Sequence, residues 1–511
     1  MMHEGEKSDP AVRARKSANK AEEAAESMEQ RAGAKGKAIA FTTNRTQSRV
    51  SVSPGLDRLR QRARENRNEK FTALLHHITV DLLTQAYHWL KRDAAAGVDG
   101  VTWQAYGTDL QANLADLHGR VHRGAYRAQP SRRRMIPKAD GRERPLGIAS
   151  LEDKIVQRAV VEVLNAIYEP EFLGFSYGFR PGRSQHDALD ALWVGIDKTR
   201  INWIFDADIR SFFDTVSHDW LIRFVEERIG DQRIIRLIRK WLKAGVVENG
   251  TLTPTEMGTP QGSVISPLLS NLYLHYVFDI WAHHWRKRPG CGHMMIVRYA
   301  DDVVCGFEHE ADARAFHAEL QARMETFALS LHPTKTRLLE FGRFAAERRK
   351  RRGEGRPETF AFLGFTHICG RTRNGKFLLI RKSRRDRMRN KLNEIKESLR
   401  QKMHESIPEQ GQWLGAVVRG YFAYHAVPSN FQALGAFRYH VTWAWMRTLQ
   451  RRSQRTRMTW EKMTRLAREW LPMPRITHPW PAARFAVKHP RWEPSGVSRR
   501  KPLLYGGDHA V

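Results

Sequence analysis

The most constraining feature of this sequence is a pair of strand-like segments in which acidic residues interrupt apolar runs. Residues 203–210 (WIFDADIR) alternate as a β-strand does, and the polar face of this predicted strand carries Asp208. Residues 294–307 (MMIVRYADDVVCGF) consist of two largely apolar runs that meet at Asp301 and Asp302. The second segment predicts a β-hairpin with both carboxylates at its turn. We therefore expect three carboxylates on neighbouring strands.

Three carboxylates that converge on one point suit phosphoryl transfer from a nucleoside triphosphate, which uses two cations roughly 3.5 to 4 Å apart. Mg²⁺ is a hard cation that prefers oxygen ligands. The sequence therefore predicts that Asp208, Asp301 and Asp302 are the catalytic residues and the ligands of two Mg²⁺ ions. Asp206 faces the same way and is expected to be secondary. Because surface turns favour Asp, the adjacent pair alone would not support this assignment, and the surrounding motifs decide it.

The charge balance indicates the kind of partner. The 511 residues include 86 Lys and Arg against 55 Asp and Glu, a formal net charge of +31. Solubility needs only a modest charge, so the excess predicts a polyanionic partner, namely nucleic acid. The three cysteines, Cys291, Cys305 and Cys369, are far apart and form neither a disulfide framework nor a C-x-x-C zinc motif. This pattern favours a reducing, intracellular compartment.

The amino-acid composition and the hydrophobic pattern change several times along the chain. Residues 1–52 are basic and poor in aromatic residues, which predicts a flexible arm. Apolar residues at helical spacing predict core helices in residues 71–91 and 155–167. Residues 341–358 (FGRFAAERRKRRGEGRPE) form a charge run that predicts a loop, and residues 383–403 predict a strongly basic helix. Further helices with interleaved aromatic and basic residues are expected after it.

Eight short motifs, in unbroken order between about residues 70 and 490, carry a family resemblance. They are AGVDGVT (96–102), IPKADGRERPLGI (136–148), GFRPGRSQHDAL (178–189), DADIRSFFDTV (206–216), GTPQGSVISPLLSNLYL (258–274), RYADDVV (298–304), LHPTKT (331–336) and FLGF (362–365). The chain resembles the reverse transcriptases encoded by bacterial group II introns, also called maturases. The YADD form of the acidic motif is typical of these intron enzymes.

The resemblance implies an α+β fold. The expected architecture is a right-hand polymerase with fingers, a palm with an antiparallel sheet and a helical thumb, followed by a mainly helical maturase domain. The implied domains are a basic arm at 1–52, fingers and palm at 53–382, the start of the thumb at 383–410, thumb and maturase helices at 411–480, and a tail at 481–511.

Carried over position by position, the resemblance implies nucleotide-binding roles for five residues. Lys138 and Arg144 match fingers residues that close on the triphosphate, for which a point charge and a forked guanidinium are suited. Phe213 matches a steric gate whose ring excludes a 2′-hydroxyl and so selects deoxynucleotides. Gln261 matches a residue near the sugar and base of the nucleotide. Lys335 resembles a lysine that protonates the departing pyrophosphate.

The implied nucleic-acid contacts combine cations for phosphates with rings that stack on bases. They are assigned to Arg180, Arg183, Tyr299, Arg451, Arg452, Arg455 and Arg457. Arg180 and Arg183 would face template or primer phosphates, and Tyr299 would lie near the primer end. The four arginines after residue 450 form a denser basic patch in the thumb and maturase region, where about half of the aromatic residues are expected to be core.

The implied function is RNA-directed DNA polymerase, a nucleotidyltransferase that uses intron RNA as template, a DNA target or primer, and dNTPs. The protein would also bind its intron RNA to assist splicing, and would support intron mobility by target-primed cDNA synthesis. Two alternatives stay open. One is a stand-alone or defence-associated reverse transcriptase, and the other is an RNA-binding splicing factor with an inactive polymerase.

Two expectations concern what the sequence lacks. Many members of the family continue into an endonuclease with cysteine pairs, and the absence of such pairs here implies an endonuclease-lacking lineage that primes from an existing DNA end. No stretch of about 18 uncharged apolar residues occurs, and the first residues lack the apolar centre of a signal peptide. We therefore expect a soluble, cytoplasmic bacterial protein associated with the nucleoid.

Overall fold

The computed structural model describes residues 54–137, 143–452 and 458–489, with only the backbone for Pro137 and Arg144. It mixes helices and sheets, which confirms the expected α+β class. Several sequence predictions fall outside the described residues: the basic arm at 1–52, Lys138, Arg455, Arg457 and the tail from residue 490.

The strands within the described residues are named in chain order. They are β1 (Ser131–Pro137), β2 (Glu143–Ile148), β3 (Trp203–Ala207), β4 (Val246–Glu248), β5 (Thr251–Thr253), β6 (Met294–Tyr299), β7 (Asp302–Phe307), β8 (Arg337–Glu340), β9 (Phe360–Phe362), β10 (Phe365–Arg371) and β11 (Phe377–Ser383). A 3₁₀ turn at Leu75–His77 and a π-helical segment at His275–Asp279 accompany the α-helices.

The α-helices are numbered in the same way. They are α1 (Pro54–Glu65), α2 (Val80–Trp89), α3 (Trp103–Tyr106), α4 (Leu110–His122), α5 (Leu151–Tyr168), α6 (Gln185–Lys198), α7 (Phe212–Thr215), α8 (His218–Glu226), α9 (Gln232–Lys243), α10 (Ser266–Leu274), α11 (Ile280–Trp285), α12 (Glu310–Thr326), α13 (Ala345–Arg351), α14 (Arg385–Gln401), α15 (Ile407–His425), α16 (Phe431–Gln450), α17 (Trp460–Trp470) and α18 (Pro481–Lys488). The structure thus confirms the predicted core helix at residues 155–167, which lies within α5, and the basic helix α14. The helix predicted at residues 71–91 is confirmed only in α2, because Leu75–His77 form a 3₁₀ turn before it.

The first of two compact units includes the described residues of 54–171 and 213–273. Its sheet has the strand order β2-β1-β4-β5, in which β1 is antiparallel to β2 and parallel to β4. Helix α5 is buried along most of its length, including the apolar positions from Ile155 to Ile167. Burial on nearly all sides explains why its sequence is apolar beyond a single stripe.

The second unit includes residues 172–212 and the described residues from 274 onward. Its larger sheet has the order β6-β7-β3-β8 with antiparallel neighbours throughout. A second sheet has the order β11-β10-β9. Helix α6 contributes Leu192 and Trp193 to an apolar core that it shares with both sheets. Packing against this core fixes the position of the larger sheet.

Helices α14 to α17 form another apolar core within the second unit. Its buried side chains include Leu399, Val418, Trp445 and Met463. The indole nitrogen of Trp445 donates a 2.8 Å hydrogen bond to the side-chain oxygen of Gln410, so a buried polar group here is paired. Among the helices that the structure describes, none combines the length and apolar character that crossing a bilayer requires.

The predicted loop at residues 341–358 contains helix α13, so that prediction is wrong in its central part. Glu347 and Arg351 form an ion pair across one helical turn. Arg348 lies 3.0 Å from a carboxylate oxygen of the buried Glu340. These pairs neutralise part of the charge run, so its high charge density does not prevent a helix from forming.

Candidate functional site

The β6–β7 hairpin lies beside β3 and brings the predicted carboxylates together. The hairpin turn contains Asp301, and Asp302 begins β7. Strand β7 also pairs antiparallel with β3, where Ala207 lies opposite Val303. Asp208 follows Ala207 and Asp302 precedes Val303, so both residues adjoin the last residue pair of the β3–β7 ladder. The predicted hairpin is confirmed, and its acidic turn lies beside the residue that follows β3.

Strand β3 is shorter than predicted, since it ends at Ala207, and Asp208 belongs to the segment after it. The Asp208 carbonyl accepts a 2.7 Å hydrogen bond from the His332 amide. The amide of Arg210 donates a 2.9 Å hydrogen bond to the Ser330 carbonyl. After β3 the chain therefore pairs with residues 330–332, which precede β8 in the sequence, at the point where Asp208 occurs.

Negative charge accumulates at this end of the sheet. The Asp302 side chain reaches solvent, yet many protein atoms surround it. Desolvation of the Asp302 carboxylate by these atoms is the largest cause that raises its pKa, to about 7. The negative charges of Asp301 and Asp208 add to this shift. Burial raises the pKa of Asp206 to about 6, although Arg337, 3.7 Å away, counteracts this. In both shifts neighbouring carboxylates add to the effect of desolvation, so the acidic side chains are close enough to repel one another.

Two cations lie against these carboxylates. The ammonium group of Lys335 is 2.9 Å from a carboxylate oxygen of Asp208. The Arg337 guanidinium is the partner of Asp206, which faces it across the β3–β8 pair. Lys335 is presented by the same LHPTKT segment whose backbone pairs with residues 208–210. The predicted pyrophosphate-protonating lysine thus contacts a predicted metal ligand.

The donor set fits a hard divalent cation, because it consists of carboxylate oxygens that repel one another and attract cationic side chains. Among the described residues, no three His, Cys, Asp or Glu side chains form a ready-made metal cage. Asp208, Asp301 and Asp302 are therefore neighbours at one end of the sheet rather than a closed ligand set.

In the first unit, backbone contacts join Phe213 to the PQG turn. The Phe213 carbonyl accepts a 2.7 Å hydrogen bond from the Thr259 amide. A side chain at Gly258 would place its Cβ 2.7 Å from the same carbonyl, so only glycine permits this approach. The side-chain amide of Gln261 donates a 3.1 Å hydrogen bond to Asp214. Two predicted nucleotide-binding residues, Phe213 and Gln261, therefore belong to one local structure.

The PQG turn also contacts the β1–β2 hairpin. The Gln261 carbonyl accepts a 2.6 Å hydrogen bond from the Gly147 amide in β2. Strand β2 contains Arg144, whose backbone pairs with Ile136 of β1. The first unit thus links the segments that carry three of the five predicted nucleotide-binding residues, while Lys138 lies outside the described residues.

The predicted nucleic-acid contacts differ in their surroundings. Arg180 is buried, and its guanidinium donates hydrogen bonds to the carbonyls of Leu173 and Ser176 at 2.7 Å each. This position does not support the expectation that Arg180 faces phosphates, because its donors hold the protein backbone. Arg183 also donates a 2.6 Å hydrogen bond to a backbone carbonyl, that of Gly174, but it is partly exposed, and its guanidinium lies 5.3 Å from the centre of the Tyr177 ring.

Tyr299 ends β6 beside the acidic turn and is partly exposed. Its ring centre is 6.5 Å from that of Phe179. Desolvation raises the pKa of its hydroxyl, although a hydrogen bond with Gln185 counteracts the shift. The residue thus combines an accessible ring with a position next to the carboxylates, as its predicted role near the primer end would require.

The arginines after α16 are used differently from one another. Arg451 is exposed. Arg452 donates hydrogen bonds to the backbone carbonyls of Met403, at 2.6 Å, and Glu405. This use of its donors does not support the expectation that Arg452 binds phosphate, because the guanidinium anchors the turn before α15. The predicted four-arginine patch is thus reduced to Arg451 within the described residues.

An exposed aromatic face on α16 and α17 was not assigned residue by residue from the sequence. Tyr439, Trp443 and Trp460 keep 53%, 38% and 43% of their surface exposed. The guanidinium of Arg447 lies 4.6 Å from the Trp443 ring centre. The four-residue spacing of 439, 443 and 447 was the available signal, but spacing alone does not tell an exposed helical face from a buried one.

Comparisons with known proteins agree with this geometry. Residues 136–367 match the family model described as "Reverse transcriptase (RNA-dependent DNA polymerase)". The chain is 33% identical over 327 residues to Protein YkfC of Escherichia coli strain K12, covering 58% of this chain and 81% of that protein.

Two further relatives are named for introns. The chain is 37% identical over 222 residues to Group II intron-encoded protein LtrA of Lactococcus lactis subsp. cremoris. It is 47% identical over 146 residues to the "Uncharacterized 91 kDa protein in cob intron" of Schizosaccharomyces pombe. These alignments cover 43% and 29% of this chain, and 37% and 18% of the respective relatives.

Proposed function

Because this chain belongs to the family of reverse transcriptases encoded by group II introns, we propose that it is an RNA-directed DNA polymerase that also binds its intron RNA and assists splicing. The observation that supports the proposal is that Asp208 and Asp302 both adjoin the last residue pair of the β3–β7 ladder, next to the acidic hairpin turn. Such a cluster suits nucleotidyl transfer, which needs converging carboxylates.

The architecture supports an assignment of parts. We assign the sheet β2-β1-β4-β5 of the first unit to the fingers and the sheet β6-β7-β3-β8 of the second to the palm. Helices α14 to α17, with their own core, are assigned to the thumb and maturase region. The domain boundaries predicted from the sequence, at residues 52, 382, 410 and 480, are kept as proposals.

In the proposed mechanism, Asp208, Asp301 and Asp302 would hold two Mg²⁺ ions, which would supply activation of the attacking hydroxyl and neutralisation of charge on the leaving pyrophosphate. Asp206 is proposed to add negative charge from the same face of β3, balanced by Arg337. Lys335, whose ammonium contacts Asp208, is positioned to give a proton to departing pyrophosphate.

Nucleotide selection is assigned to the first unit. Lys138 and Arg144 are proposed to hold the triphosphate, and Gln261 to contact the sugar and base. The hydrogen bond from Gln261 to Asp214 supports its role, because it limits the rotamers of the amide. Phe213 is proposed as the steric gate, supported by the backbone contacts that fix its segment against the PQG turn.

Replacing Phe213 with valine is expected to admit ribonucleotides. Removing the ring would relieve a steric clash with the 2′-hydroxyl of about 1–3 kcal/mol, so discrimination against NTPs should fall roughly 10- to 100-fold. Single-nucleotide incorporation with dNTP and NTP measures the ratio of kcat/KM values. Phe212→Val, at a neighbouring buried position, serves as the control, and unchanged discrimination in the Phe213 variant would remove the gate role.

Intron RNA is proposed to bind the exposed face of α16 and α17. Rings stack on unpaired bases, and arginines contact phosphates. Tyr439, Trp443 and Trp460 supply accessible rings, and Arg447 adds a cation beside them. Arg451, Arg183 and Tyr299 are proposed as further contacts to nucleic acid. Target-primed cDNA synthesis, with a DNA target as primer, is the proposed route by which this activity supports intron mobility.

One preparation assayed for two activities tests the proposal. With Mg²⁺, the purified protein should extend a DNA primer on an RNA template with dNTPs, and should accelerate splicing of the intron that encodes it. Splicing without extension would favour a splicing factor with an inactive polymerase. Extension without effect on the intron would favour a stand-alone or defence-associated enzyme, and failure of both would overturn the assignment.

A further inference from the structure

Arg298, in β6 before the acidic turn, is fully buried with a side-chain exposure of 0%. Its Nε donates a 2.7 Å hydrogen bond to one carboxylate oxygen of Asp279, and Nη2 donates a 2.5 Å hydrogen bond to the other. Asp279 is equally buried. A forked, charge-assisted pair of this kind has a fixed geometry, in contrast to a surface ion pair.

The remaining donors of Arg298 reach the hairpin turn and the segment beside it. Nη1 donates a 3.0 Å hydrogen bond to the carbonyl of Ala300, the residue before Asp301. Nη2 also donates a 2.7 Å hydrogen bond to the Ser176 hydroxyl. The guanidinium therefore connects the acidic turn to two other parts of the second unit.

The turn needs such support. Ala300 has φ +55°, a left-handed conformation that is unfavourable for a residue with a side chain. Its amide lies so close to Gly178 that a side chain at Gly178 would collide with it. The turn is thus held on one side by contact with the chain at Gly178 and on the other by the guanidinium that binds its carbonyl.

Asp279 is presented by an irregular helix. It is the last residue of the π-helical segment His275–Asp279, which precedes α11. Single π-turns interrupt the regular helical spacing and occur often at functional positions. Burial alone would raise the pKa of Asp279, but the charges and hydrogen bonds of Arg298 and His275 together outweigh it and lower that pKa. The carboxylate is therefore kept as the anionic partner of Arg298.

We propose that Arg298 and Asp279 are positioning residues that fix the backbone turn carrying Asp301 and Asp302. Because both side chains are fully buried, the pair is proposed to act on the turn through the Ala300 carbonyl. The functional consequence rests on the proposed polymerase activity, whereas the structural consequence does not. Supporting groups around metal ligands affect metal affinity or activity by about 10- to 100-fold when they are removed.

Arg298→Lys tests the proposal while keeping the positive charge. A lysine ammonium cannot span Asp279 and the Ala300 carbonyl with the geometry of the guanidinium fork. We expect amides of residues 300–302 to exchange hydrogen about tenfold faster or more, and the Mg²⁺ concentration for half-maximal primer extension to rise about 10- to 100-fold. Hydrogen exchange followed by mass spectrometry, together with a Mg²⁺ titration of extension, measures both.

Arg381→Lys is the matched control. Arg381 of β11 and Asp190 of α6 form another buried pair in the second unit, 3.2 Å apart and 1% and 2% exposed, and Arg484 also pairs with Asp190. This variant should lower the melting temperature but leave hairpin exchange and Mg²⁺ dependence as in the wild type. If the two variants lose stability alike and neither changes the hairpin, Arg298 is only a stabilising residue and the proposal is overturned.

Two further measurements distinguish a failure of this proposal from a folding defect and from a failure of the proposed polymerase function. If Arg298→Lys fails to fold, Ser176→Ala replaces it as the test, because it removes one contact of Arg298 without a change of charge. Amide hydrogen exchange in the hairpin should then be faster than in the wild type, by a smaller factor than that expected for Arg298→Lys. Unaltered exchange in a folded Ser176 variant would then overturn the proposal. A wild-type protein that extends no primer would refute the polymerase function alone, because hydrogen exchange still reports whether Arg298 fixes the turn.

Discussion

Replacing Asp301 with alanine is expected to reduce the rate of primer extension by at least about 1,000-fold, because a metal-stabilised transition state loses several kcal/mol when one ligand is removed. Binding of intron RNA should stay close to the wild-type affinity. The physical reason is that the two sites lie on different elements. Asp301 lies in the β6–β7 turn, whereas the proposed RNA-binding face is on α16 and α17. Primer extension at saturating dNTP and RNA binding on the same preparation measure the two effects.

Glu310→Gln is the matched control for charge. Glu310 is an exposed carboxylate in the same unit, where it pairs with Arg314 across one turn of α12. Removing it should leave extension unchanged, since exposed ion pairs contribute little. Asp208→Asn should resemble the Asp301 variant. Extension that survives in both aspartate variants would refute the proposed metal site, and parallel loss of RNA binding would refute the separation of the two roles.

The second large effect concerns salt. RNA affinity is expected to fall by about 1,000-fold between 50 and 200 mM salt, because binding that neutralises many phosphates releases condensed counterions. The formal charge of +31 makes such a mode of binding available. Equilibrium binding of intron RNA across this range gives the slope of log affinity against log salt. An affinity that does not change with salt would exclude phosphate contacts as the main source of binding.

Two substitutions separate phosphate contacts from stacking. Arg447→Ala should reduce the magnitude of the salt slope by about one, as expected for one lost phosphate contact. Trp460→Ala should weaken binding by about 1–3 kcal/mol while leaving the slope unchanged. Phe344→Ala is the control, because this exposed aromatic residue, at 53%, precedes α13 and lies outside α16 and α17. Equal losses in the Trp460 and Phe344 variants would argue against a dedicated stacking face.

Local sequence predicted the position of the aspartates correctly, but it did not predict the hydrogen-bond partners of the arginines. The hairpin around Asp301 follows from two apolar runs and a turn, and the structure has it as predicted. Arg180 was expected to face phosphate because it lies in a basic motif, yet its guanidinium is buried against backbone carbonyls. An arginine in the sequence has the same appearance whether its partners are carbonyls or phosphates, and only its neighbours in space tell the two apart.

Helix α13 also depends on tertiary contacts that the local sequence does not reveal. A dense charge run favours a loop when solvent is the only partner, but the buried Glu340 supplies an anion for Arg348 and Arg352. The sequence contained the helix-forming residues, whereas the compensating carboxylate comes from β8. Intrinsic preference is weak compared with such tertiary contacts, which is why a local interpretation failed at this segment.

By itself, the sequence determined the acidic hairpin, the core helix α5 and the basic character of the chain, because alternation, helical spacing and charge are properties of short segments. The tertiary structure alone decided that β7 lies beside β3, so that Asp208 and Asp302 adjoin the same end of this strand pair. It also decided that Arg298 of β6 binds Asp279. Partners of this kind are chosen by burial and geometry among residues distant in sequence, and no local pattern encodes that choice.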